Sequence, residues 1–135
     1  MDPHDDSTAV PRAWHEKAVG DLNAARACFE SPSVPPWIAG FHLQQAAEKS
    51  LKGLLVLSGR EPPRSHDLAR LDYLLSEAGG SQPLSAKAIQ ALQPFAIEER
   101  YPVLSPTEIP RKELAPLIEA VSSLVEALGK FSRIA

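Results

Sequence analysis

The chain has 135 residues, 44% of them apolar, and a formal net charge of −3. That suits one hydrophobic core rather than two, and the acidic balance excludes the broad basic footprint that holds duplex DNA non-specifically. A single cysteine, Cys28, excludes an internal disulfide framework and a Cys-rich metal site. No apolar run is long or charge-free enough to span a membrane and no signal-peptide pattern opens the chain, so a soluble, cytoplasmic protein is expected.

Residues 1–11 (MDPHDDSTAVP) are polar, acidic and bounded by proline, and read as a loose tail ahead of a single helical domain over 12–135. His4, Asp5 and Asp6 in that tail have no further ligand to fix a metal ion. The first helix is predicted over 13–30, where Trp14, Ala18, Leu22, Ala25 and Phe29 recur at steps of three and four and make one apolar stripe. Ser31-Pro-Ser-Val-Pro-Pro36 ends it, because a residue before proline avoids the helical region.

The central stretch is WIAGFHLQQAAEKSLKGLLVL, residues 37–57. It is predicted as a helix of about 20 residues, apolar on several sides and therefore central in the fold. Pro35 or Pro36 suits its first turn, and Gly59 is placed for a left-handed cap. A third helix is predicted over 66–78, with Ser65 as its N-cap, Asp67 in its first turn, and Leu68, Leu71, Leu74, Leu75 and Ala78 inward. Gly79-Gly80 stops it. A fourth runs over 85–100 with Ile89, Leu92, Phe95 and Ala96 inward, and Pro94 must kink or split it. A proline-rich connector over 101–110 leads to the last helix, 111–131, whose stripe runs from Leu114 to Phe131 and in which Pro116 makes the start uncertain. No alternating strand pattern competes. The expected fold is all-α, an antiparallel up-and-down bundle of four to five helices.

Several polar groups interrupt this pattern. Gln45, Glu48 and Lys52, with Gln44 beside them, share a face of the central helix. They read either as a solvated stripe or as a group with polar business inside the fold. His42 has no second histidine or carboxylate at ligand spacing next to it, so neither zinc nor a di-metal site is expected. There is no glycine-rich phosphate loop and no nucleophile elbow, and no cofactor is expected. His66 opens the third helix as a structural group or a base. Arg100, where the fourth helix gives way to the connector, is explained structurally by the helix dipole, and functionally such an arginine can hold a phosphate.

Together the segment FHLQQAAEKSLKGLL, the SHDL that opens the third helix and the ERYP that ends the fourth resemble the HEPN domain of prokaryotes, over about 14–131. That resemblance implies a helical bundle forming a two-fold homodimer. It also implies a small stand-alone protein encoded beside a minimal nucleotidyltransferase, the pair acting as a toxin–antitoxin module. Many HEPN domains are metal-independent ribonucleases whose motif is an arginine, usually a polar residue next, then after four to six residues a histidine. Two copies meet across the dimer. The 2′-hydroxyl attacks the adjacent phosphate, the histidine moves protons and the arginine stabilises the phosphorane.

The motif arginine in this chain is Arg100, followed by Tyr101 where a small polar residue is usual. No histidine stands at any permitted spacing beyond it; position 105 is Ser, and the last histidine of the chain is His66. Arg60 and His66 do match the spacing as text, but eight arginines and four histidines produce such a match easily by chance, and this one lies in the wrong loop.

The sequence therefore points to a dimeric HEPN protein with a degenerate nuclease motif. It would bind a partner and an RNA or nucleotide phosphate through Arg100 and Tyr101, with Gln45, Glu48 and Lys52 in support. Two alternatives stand beside it: an active ribonuclease toxin with His66 as a relocated base, and a non-catalytic helical adaptor.

Overall fold

The computed structural model describes residues 9–79, 83–98 and 108–134. They form α1 (Ala9–Glu30), α2 (Pro36–Leu57), α3 (Leu68–Glu77), α4 (Ala86–Leu92), the single turn α5 (Phe95–Glu98) and α6 (Arg111–Ile134). No strand occurs among the described residues. The all-α helical bundle is as the sequence implies.

α2 touches all five other helices, and α1 and α6 also pack on each other. This follows from its composition: Leu43, Ala46, Ala47, Leu51 and Leu55 face several directions and are all buried. Lateral pairs give the helix directions. Asp21 meets His42 and Trp14 meets Lys52, so α1 and α2 form an antiparallel hairpin. Arg26 meets Ser122 and Arg111 meets Phe29, so α6 is antiparallel to α1 as well.

Helix ends follow local chemistry. Pro36 opens α2, where its missing N–H has no partner to lose. Gly59 (φ +80°) ends it: the Arg60 N–H reaches Leu55 O at 2.9 Å and the Gly59 N–H reaches Val56 O at 3.0 Å, the paired bonds of a Schellman cap. Gly79 (φ +86°) closes α3 in the same conformation.

Two helix starts shift from the sequence expectation, and the two prolines left open are settled. The first helix begins at Ala9 and not at 13, with Pro11 in its first turn, where proline is tolerated. The third helix begins at Leu68, and its N-cap is Asp67 rather than Ser65. The Asp67 carboxylate accepts from Ala69 N at 3.0 Å and Arg70 N at 3.3 Å, whereas the Ser65 hydroxyl accepts only the Asp67 N–H at 3.1 Å. His66 consequently precedes the helix and is not in its first turn. Pro94 splits the fourth helix: α4 ends at Leu92 and α5 starts at Phe95. Pro116 lies on the exposed side of α6 and the helix runs through it.

Candidate functional site

Glu48 is the centre of the polar group on α2. It is buried, at 5% exposure, and three donors converge on its carboxylate. Lys52 Nζ, one turn on, lies 3.1 Å from Oε2. Gln44 Nε2, one turn back, lies 3.3 Å from Oε1, and His66 Nδ1 lies 2.8 Å from the same oxygen. Steps of four residues place Gln44, Glu48 and Lys52 on one helix face. His66 reaches them because the Schellman cap turns the chain sharply after α2 and brings the 60–67 loop back along it.

Gln44 is fully buried and fully satisfied. Its amide nitrogen also donates to His66 O at 3.3 Å, and its oxygen accepts from Gln45 Nε2 at 2.7 Å. Lys52 is buried too, with its ammonium 5.9 Å from the Trp14 ring centroid on α1, in reach of a cation–π contact. Gln45 is half-buried. The stripe is therefore an internal network rather than a solvated face.

Gln93, at the end of α4, completes the arrangement. Its amide nitrogen donates to His66 O at 3.3 Å and its oxygen accepts the Leu68 N–H at 2.7 Å. The peptide units on either side of Asp67 are thus held by side chains from two helices. Sequence reasoning passed over Gln93. Its one signal was its place beside Pro94, a position where backbone bonding must stop and side-chain bonding is common.

A carboxylate can only accept, so the bond to Glu48 assigns the proton to His66 Nδ1 and leaves Nε2 as an acceptor in the neutral ring. The His66 side chain is 43% exposed, and among the described residues nothing bonds Nε2. A histidine held by a buried carboxylate, with its second nitrogen unoccupied, has the geometry of a general base or of a phosphate donor.

A second cluster joins α1 to α2. Asp21 accepts from His42 Nδ1 at 3.0 Å and pairs with Lys49 through its other oxygen. His42 thus has its carboxylate after all, from the neighbouring helix and not from its own. The antiparallel hairpin was the clue: it sets Asp21 opposite the two turns from His42 to Lys49.

Arg100 and Tyr101 lie outside the described residues, so the site is built here from Glu48, His66 and their partners. Among the described residues no three His, Cys, Asp or Glu side chains gather as a metal-binding group, and no helix is long and apolar enough to cross a membrane.

Comparison with known proteins adds one finding. No curated protein and no solved structure matches the chain significantly. A family model described as the HEPN domain matches residues 11–131, nearly the full length. This match, on an all-helical bundle whose central helix carries the Gln-Gln-Glu-Lys network, means that the chain belongs to the HEPN domain family, a nuclease-like or RNA-related family.

Proposed function

We propose that the protein is one component of a two-gene toxin–antitoxin module, paired with a minimal nucleotidyltransferase, and that it binds an RNA or nucleotide phosphate through a degenerate nuclease motif. HEPN domains commonly dimerise, and a homodimer is the assembly this reading uses. One observation carries it. The family match covers nearly the whole chain, yet no histidine follows Arg100. The arginine that would neutralise phosphate charge is retained, and the proton carrier at the usual spacing is not. Arg100 and Tyr101 then hold phosphate without the usual turnover. Calorimetric titration with nucleotides, short RNA and the product of the adjacent gene tests this. Binding weakened by Arg100→Ala supports the reading, and no binding to any of them leaves the helical adaptor.

The 2.8 Å bond between His66 and Glu48 favours a second reading, a metal-independent ribonuclease with His66 as relocated base. In that chemistry Nε2 takes the proton of a 2′-hydroxyl as its oxygen attacks the adjacent phosphorus. The bond from phosphorus to the 5′-oxygen then breaks, the imidazolium gives its proton to that oxygen, and a cyclic phosphate and a 5′-hydroxyl remain. Glu48 would keep the ring in the right tautomer and stabilise the imidazolium that forms. Expression in a bacterial host separates the two readings. Growth arrest abolished by both Arg100→Ala and His66→Ala would establish the ribonuclease, whereas normal growth together with intact total RNA after incubation with the pure protein would eliminate it.

A further inference from the structure

Three of the eight arginines fall between positions 60 and 70: Arg60, Arg64 and Arg70. All three side chains are exposed. Of the arginines elsewhere, Arg26 bonds Ser122 Oγ at 3.0 Å and Arg111 bonds the carbonyls of Phe29 and Val34 at 2.6 and 2.9 Å, while Arg12 stands exposed and by itself near the start of α1. Arg60, Arg64 and Arg70 pair with no carboxylate among the described residues, whose ion pairs all involve lysine or histidine. Of the two acids interspersed with them, Glu61 is exposed and Asp67 is bound to the backbone N–H groups of Ala69 and Arg70.

Three residues after Arg70 stands Tyr73, on the same face of α3 and 61% exposed, more than Trp37 or Phe131. The opposite face, Leu68, Leu71 and Leu75, holds α3 to the core, so Tyr73 has no packing role to explain it.

We infer that this surface, from the 60–67 loop along the first turns of α3 to Tyr73, is a track for single-stranded RNA. It rests on the phosphate-binding reading above and adds the substrate class. The arginines take phosphates, and Tyr73 offers its ring to an unpaired base. An aromatic face is available to stack only on a base that is not already stacked in a duplex, which selects single strands. A chain of net charge −3 has no general field to hold RNA, so a local group of uncommitted arginines decides where RNA lies. Exposed Glu77, one turn beyond Tyr73, sets the end of the track by repulsion. The track passes His66 and so reaches the site already described.

The test is fluorescence anisotropy on the full chain with a labelled oligouridine dodecamer and an RNA duplex of the same length, read as a function of salt. Tyr73→Ala is expected to weaken single-strand binding about tenfold, and Tyr73→Phe to leave it within about twofold. Arg70→Gln should lower affinity and make the plot of log K against log salt shallower by about 0.7. Duplex binding should be weaker and indifferent to position 73. If Arg100→Ala abolishes binding while Tyr73→Ala and Arg70→Gln leave it unchanged, phosphate binding stands and the track is overturned. If the native chain binds neither RNA, the track is overturned, and the phosphate reading then stands or falls on the nucleotide titration alone. If the position 70 and 73 variants instead break a self-association seen by light scattering, with RNA affinity unchanged, the face is a protein contact and the proposal fails.

Discussion

Glu48 puts an acid in the middle of a buried helix, and that is tolerable only because three donors meet it. Removing one partner of a buried ion pair leaves the other charge without compensation, at a cost of about 3–5 kcal/mol. Glu48→Ala would strand the Lys52 ammonium against the Trp14 ring, so urea unfolding should show a loss of that order. Replacing both members, as Glu48→Leu with Lys52→Met, should recover most of it. A loss below about 1 kcal/mol for Glu48→Ala would mean that water reaches the pair. The comparison also bears on function, because activity lost in Glu48→Ala counts for chemistry only at temperatures where the variant is folded.

Asp72 is the reverse case. It faces inward from α3, its Oδ1 has no hydrogen-bond partner, and desolvation by burial raises its pKa above the ordinary 3.8. A carboxyl whose folded pKa is raised costs nothing below the unfolded value, where both states are protonated. Its penalty grows as pH rises through the interval up to the folded pKa and stays constant above it. Asp72→Asn should therefore have little effect near pH 3 relative to the native chain and be the more stable of the two at pH 7. Paired denaturation curves across that range check the sign, and a native chain favoured at pH 7 would show an unseen partner for Asp72. Neither Asp72 nor Gln93 stood out in the sequence. The Gln44, Gln45, Glu48 and Lys52 group did, because it shares one helix and obeys one period. Partners supplied by other helices, such as Asp21 to His42 and His66 to Glu48, obey no period and become visible only in the folded chain.

At the scale of the helix, apolar stripes were legible nearly in full: the inward residues read for the first four helical stretches are buried or half-buried. Phe131 is the exception, exposed near the end of α6. Boundaries were legible only where a residue type dictates backbone geometry, as at Gly59 and Gly79. The choice between Ser65 and Asp67 as cap depended on which side chain reaches two N–H groups, and spacing alone does not decide that. Helix seams add a constraint of their own. At Gly40 on α2, a methyl group would lie 2.5 Å from Phe95 Cζ, and the Phe95 ring is itself fully buried on α5. Gly40→Ala must push that ring aside, and overpacking of this kind costs about 1–3 kcal/mol despite alanine's better helix propensity. The companion Phe95→Leu in the Gly40→Ala background should recover part of the loss. If Gly40→Ala alone stabilises the protein in thermal unfolding, the α2–α5 seam is looser than this contact implies.

For the molecule as a whole, the described core closes within one chain. α1, α2 and α6 bury their apolar faces on one another, and α3, α4 and α5 complete the cover over α2. Among the described residues the exposed large hydrophobic side chains, Trp37, Tyr73 and Phe131, sit on α2, α3 and α6 rather than on one helix. A dimer whose halves already own their cores differs from an obligate one, in which folding and association are a single step. The proposed homodimer should accordingly dissociate on dilution into folded monomers. Light scattering over a concentration series is expected to fall from twice the chain mass of 14.6 kDa towards that mass, while helical circular dichroism and the unfolding midpoint of the dilute form persist. A monomer at every accessible concentration would remove any site composed across two copies and leave the Glu48–His66 pair to act, if at all, within one chain. Helix signal lost in step with dissociation would mean instead that the partner completes a core the single chain does not close.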